Sequence, residues 1–126
     1  MIRYQEISFV AYPVTNMARS RKFYEGVLGL KSNGFAKGPR SNFVEYNLGP
    51  GTLALGKSPQ YRPSRNGPVA ALEVKNFDES VAHLRKHRVK FIIGPVDFPS
   101  CRMVGFRDPD GNQLALHHRK PRRRKQ

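Results

Sequence analysis

Four groups of side chains in this chain are of types that do chemistry. His83 and His87 stand four residues apart, the spacing at which two imidazoles on one helix face can grip a metal, although Arg85, Lys86 and Arg88 beside them read as a solvated basic surface. Cys101 is followed by Arg102, and a guanidinium beside a thiol favours the nucleophilic thiolate. Otherwise a lone cysteine is simply a small buried apolar side chain. His117 lies two residues beyond Ala115 in QLALHH, on the same face of an alternating strand. If it approaches Cys101 across a hairpin, the two would form a nucleophile and base. Glu45, in FVEYNL, is a carboxylate amid apolar residues, which is costly to press into a core without a partner.

Composition limits what can position these groups. The chain has 126 residues, 38% of them hydrophobic, which suits one domain with a modest core. Its single cysteine excludes an intramolecular disulfide, and the N-terminus shows neither a signal-peptide run nor a membrane span, so a soluble cytoplasmic protein is expected. Lys and Arg number 23 against 9 Asp and Glu, a net charge of +14. Residues Arg119 to Gln126 (RKPRRRKQ) concentrate part of that charge in a basic tail that could meet nucleic acid or an anionic surface. No aromatic residue interrupts the tail to offer a stacking platform.

The elements repeat. An offset of 60 aligns Ala11 with Ala71, Val14 with Val74, Asn16 with Asn76 and Ser20 with Ser80, and LALG at 53–56 returns as LALH at 114–117. Each half opens on an apolar strand, residues 7–14 and 68–74, that ends at an asparagine suited to cap a helix. Glu79 three residues after Asn76 completes a capping-box pattern. The first helix should bury Met17, Ser20, Tyr24, Val27 and Leu28 and stop at Gly29; the second should bury Phe77, Val81 and Leu84. Three short strands should follow each helix. They include FVEYNL (43–48) and TLALG (52–56) in the first half, and CRMVGF (101–106) and NQLALHH (112–118) in the second. The reading is one domain over 1–118, with modules at about 5–57 and 68–118, a Pro- and Arg-rich linker at 58–67 and the tail at 119–126.

The runs VTNMARSRKFYEGVLGL and FRDPDGNQLAL, with this repeat, resemble the vicinal oxygen chelate superfamily of glyoxalases, bleomycin resistance proteins and extradiol dioxygenases. The resemblance implies an α+β fold of two βαβββ modules, their curved mixed sheets around a cleft and their helices outside. Metal-using members place a histidine or glutamine early in the first strand of a module and a glutamate in its last. The positions here that match those ligands are Phe9, Ala54, Val69 and Ala115, none of which can bind a metal. The expectation is therefore a metal-free cleft with no cofactor; a displaced divalent metal at His117 is the alternative.

Hairpin register decides what else faces the cleft. With Leu53 and Leu55 under the helix, a four-residue connection pairs Leu48 with Leu53 and Tyr46 with Leu55, which turns Glu45 and Asn47 to the cleft. The candidate ligand-binding residues are Phe9, Ala11, Glu45, Asn47, Val69, Ala71, Met103, Ala115 and His117; the catalytic candidates are Cys101, His117 and Glu45. Small side chains leave room for a ligand, and a net charge of +14 favours an anionic or neutral aromatic one over a cation. Three readings follow: a metal-independent small-molecule binder, a lyase or dioxygenase with a displaced metal, and an accessory protein docking through its tail. Relatives often dimerise, so a homodimer is expected. No phosphate loop, dinucleotide fingerprint or nucleophile elbow is present.

Overall fold

Asparagine begins both helices. In a computed structural model of the protein, which describes residues 1–34 and 41–121, the Asn16 side chain accepts from the Arg19 N–H at 3.0 Å and that of Asn76 from the Glu79 N–H at 3.0 Å. Each cap satisfies one of the donors that a helix start leaves without an intrahelical partner. The chain divides into two units, Met1–Ser64 and Arg65–Gln126.

The first unit runs β1 (Phe9–Pro13), α1 (Met17–Arg21), β2 (Phe43–Leu48) and β3 (Gly51–Gly56), with β3 between β1, parallel to it, and β2, antiparallel. The helix does not stay α-helical. Residues Lys22–Val27 form a π-helix, closed by a bond from the Leu28 N–H to the Phe23 carbonyl, before Gly29 turns the chain at φ +73°. In this wider turn Tyr24 stacks on Tyr46, 6.1 Å between ring centroids, and Glu25 accepts from the Tyr46 hydroxyl at 2.8 Å and from Arg21 Nε at 2.6 Å. Tyr12, Val14, Met17, Val44, Leu53 and Leu55 complete the core. Of the three strands expected after the helix, the first is represented by a bridge between Ser32 and Tyr46; residues 35–40 lie outside the described residues.

The β2–β3 hairpin is tighter than expected. Leu48 pairs with Gly51, Tyr46 with Leu53 and Val44 with Leu55, around the two-residue turn Gly49-Pro50 with Gly49 at φ +60°. The predicted pairs were two residues out of register. Strand pleat has a period of two, so the faces are nevertheless those anticipated: Val44 and Tyr46 are buried, while Leu48, at the strand end, is exposed.

The second unit runs β4 (Ala70–Glu73), α2 (Phe77–Lys86), β5 (Phe91–Asp97), β6 (Cys101–Arg107) and β7 (Gln113–Arg119), in sheet order β4-β7-β6-β5. β4 lies parallel to β7; the other pairs are antiparallel. Phe77, Val81 and Leu84 of α2 are buried, as are Val104, Phe106, Leu114 and Leu116 of the sheet. The β6–β7 turn is held by Asp108, whose Oδ1 accepts from the N–H groups of Asp110 and Asn112, both at 2.9 Å. Strand β7 reaches Arg119, and Lys120 bonds to the Ser100 carbonyl through its N–H and to Asp97 through its ammonium, so the basic run starts as part of the sheet. Residues 122–126, the rest of the anticipated tail, lie outside the described residues.

Candidate functional site

Each sheet has one face under its helix and one away from it. In the first unit the ladder puts Ala54 between Ala11 on β1 and Glu45 on β2, and Thr52 between Phe9 and Asn47. These alternate with the buried Val44, Tyr46, Leu53 and Leu55, so they occupy the face away from α1. Ala54 is fully buried, whereas Phe9 is 59% exposed. Asn33 ties the polar members together: its Nδ2 donates to Glu45 Oε1 at 2.9 Å and to Asn47 Oδ1 at 3.2 Å, and Thr52 donates to the same Oδ1 at 3.3 Å. Among the described residues Glu45 thus has an amide partner rather than an ionic one.

The second unit repeats the pattern. Ala71, Ala115 and Gly105 form one row across β4, β7 and β6, as Ala11, Ala54 and Glu45 do in the first. One row further along come Glu73, His117 and Met103, then Arg119 opposite Cys101; in the other direction lies Gln113 opposite Arg107. The alternate residues turn to the helix: Arg102 packs over the Phe77 ring at 4.6 Å and bonds to Asp78 at 2.9 Å. His118, next to His117, sets its Nδ1 on the Val74 carbonyl at 2.8 Å.

The tightest polar arrangement on the far face was not anticipated. His117 Nδ1 lies 2.6 Å from Glu73 Oε1, and Glu73 Oε2 accepts from the Arg119 N–H at 2.7 Å. The Arg119 N–H, then the His117 bond, holds the Glu73 carboxyl below its ordinary value. The sequence carried a signal for this, a carboxylate closing the otherwise apolar run PVAALEV. Its partner could be found only from the parallel pairing of strands 44 residues apart. Arg107 and Asn33 were missed because their bonds, to Arg65 and to Glu45 and Asn47, join segments that only the tertiary fold brings together.

Cys101 is half-buried and pairs with Arg119, not with His117; His117 stands opposite Met103 with its Nδ1 engaged by Glu73. Arg102, one position along, is turned to the helix face. The rings of His83 and His87 lie 4.4 Å apart, tilted by 40°, on the exposed end of α2, with His87 Nδ1 3.0 Å from the His83 carbonyl. That arrangement caps the helix rather than presenting two ring nitrogens to an ion.

Phe9, Ala54, Val69 and Ala115 offer no side-chain donor atom, and among the described residues no three His, Cys, Asp or Glu side chains come together. Glu73 is turned to Nδ1 of His117, so the pair does not present two donors to one ion. No helix among the described residues is long and apolar enough to cross a membrane.

The profile of the Glyoxalase/Bleomycin resistance protein/Dioxygenase superfamily matches residues 6–116. The uncharacterized protein YaeR of Escherichia coli (strain K12) is 31% identical over 130 residues, covering 93% of this chain and 98% of YaeR. Among solved structures, a glyoxalase/dioxygenase from Nostoc punctiforme superposes with a TM-score of 0.77 at 21% identity, over 93% of this chain and 92% of that one. TnmS3, an antibiotic binding protein from Streptomyces sp. CB03234, superposes with a TM-score of 0.74 at 20% identity, over 95% and 100%.

Proposed function

Since the chain belongs to the glyoxalase/bleomycin resistance protein/dioxygenase superfamily, we propose that it binds a small molecule without a divalent metal, and that its ligand is anionic or neutral and aromatic rather than cationic. One observation carries the reading. Where metal-using relatives would place carboxylates, this chain has Ala54 and Ala115, at 0% and 1% exposure in the middle of their strands. A glutamate there would need a metal or another partner to offset its burial; a methyl group needs neither.

The ligand's charge follows from what stands around those methyl groups. In the second unit Arg107 and Arg119 share the far face with Glu73, whose two oxygens are already engaged. The whole chain, at +14, attracts anions and repels cations at long range. The resemblance in fold to an antibiotic binding protein is consistent with a binding role. Calorimetric titration in EDTA tests the reading. Aromatic carboxylates should bind and aromatic amines of the same size should not; binding that needs added metal, or that prefers the amines, would overturn it.

A further inference from the structure

Positive charge collects where α2 ends. Residues 80–96 include Arg85, Lys86, Arg88 and Lys90 but no Asp or Glu. All four side chains are exposed, as are those of His83 and His87. The carboxylates of the helix, Asp78 and Glu79, lie in its first turn, and ion pairs in this unit join Arg102 to Asp78, His117 to Glu73 and Lys120 to Asp97. Among the described residues none of the four cations meets a carboxylate. The helix dipole favours Arg85 and Lys86 in the last turn. Arg88 and Lys90 lie past the helix, and the dipole fades there.

Arg88 is held against its backbone preference. It follows the C-cap His87 at φ +59°, where its N–H bonds to the Arg85 carbonyl and the Val89 N–H to the Leu84 carbonyl close the helix. Glycine takes this left-handed position without crowding a Cβ against the backbone. In the first unit glycine does so: Gly29 turns the chain at φ +73°. The second unit carries a guanidinium at the corresponding bend, and residues kept in such conformations gather where a surface has work besides folding.

We propose that Arg85, Lys86, Arg88 and Lys90 dock this corner of α2 on the phosphate backbone of double-stranded DNA, without reading its sequence. Two guanidiniums and two ammoniums within six residues match a polymer that carries one negative charge per roughly 1.7 Å of its axis. The apolar neighbours are turned inward: Leu84 is buried, Val89 half-buried, and the Phe91 ring lies under the Arg85 guanidinium at 5.4 Å. The exposed Ile92 and Ile93, further along β5, pack toward Gly105 of the next strand. The corner therefore offers no apolar side chain to sink into a lipid layer and no open ring to stack on an unpaired base. Residues 83–90 also lack hydroxyl, amide and carboxylate side chains, the groups that would meet the 2′-hydroxyls of an RNA duplex. This surface belongs to α2 and its bend, apart from the sheet faces of the small-molecule reading.

Fluorescence anisotropy of a labelled DNA duplex, titrated with the full chain across about 50 to 200 mM salt, tests the proposal, because each phosphate contact adds about 0.9 to the slope of log affinity against log salt. Arg88→Gly should weaken binding roughly fivefold and lower the slope by about 1 while raising Tm, so a damaged fold could not explain the loss. Adding Arg85→Gln, Lys86→Gln and Lys90→Gln should lower the slope by about 3 more. Lys75→Gln removes the same charge at the opposite end of α2, about 15 Å away, and should leave the slope unchanged. A second duplex of unrelated sequence should bind equally well. An unchanged slope in Arg88→Gly, an equal loss in Lys75→Gln, or binding of phosphatidylserine vesicles but not of DNA at the same salt would overturn the proposal.

Discussion

The Tyr46 hydroxyl, in the core of the first unit, donates to a carboxylate that a guanidinium also holds. Burial and then the Glu25 bond push the Tyr46 phenol well above its usual value. At Glu25 burial acts upward, yet the bonds from Arg21 and Tyr46 outweigh it and leave the carboxyl below its ordinary value. A carboxyl depressed in the folded state contributes stability that is present above its unfolded value and is lost as pH falls through the folded one. Glu25→Gln should therefore flatten the acid limb of the unfolding curve below the ordinary carboxylate range, measured by urea titration at several pH values. Tyr46→Phe should cost about 2 kcal/mol at neutral pH, the order expected for a buried hydrogen bond to a charged group, by the same titration.

At the scale of elements, what the sequence revealed depended on whether the signal was local. The helix caps, the strand FVEYNL and the apolar stripe Phe77, Val81, Leu84 all appear where local patterns placed them. The hairpin register did not, because a two-residue slip preserves every face and leaves no trace in the alternation. Nor did local pattern mark strand β5, whose ladder to β6 shifts on either side of Ile93. Gly94 there sits at φ +75°, and a Cβ would lie 2.6 Å from the Val96 nitrogen and 2.7 Å from the Met103 oxygen. Gly94→Ala should cost more than about 2 kcal/mol by chemical denaturation. Helix α2 ends with Arg88 in the left-handed region at φ +59°, while the Val89 N–H reaches back to the Leu84 carbonyl. Arg88→Gly should raise stability by up to about 1 kcal/mol, since glycine adopts that conformation without a Cβ clash.

Across the whole molecule, the repeat seen in the sequence reappears as the same placement of small residues in each unit: Ala11 beside Ala54 in one sheet, Ala71 beside Ala115 in the other. The polar groups that neighbour these small residues, Asn33, Glu73 and Arg107, emerge only once distant strands are paired. With +14 on 126 residues, affinity for an aromatic carboxylate should fall as salt rises from 50 to 500 mM on the order of several-fold, while a neutral aromatic of the same shape should be little affected. The central claim is that Ala54 and Ala115 have replaced metal chemistry with a metal-free binding surface. Its most direct test is elemental analysis of untagged protein followed by thermal shift with Ni²⁺, Zn²⁺, Mn²⁺ and Fe²⁺, on wild type and on His117→Ala. The account predicts no stoichiometric metal and no metal-dependent rise in Tm; one equivalent of bound metal, or a stabilisation that His117→Ala abolishes, would contradict it.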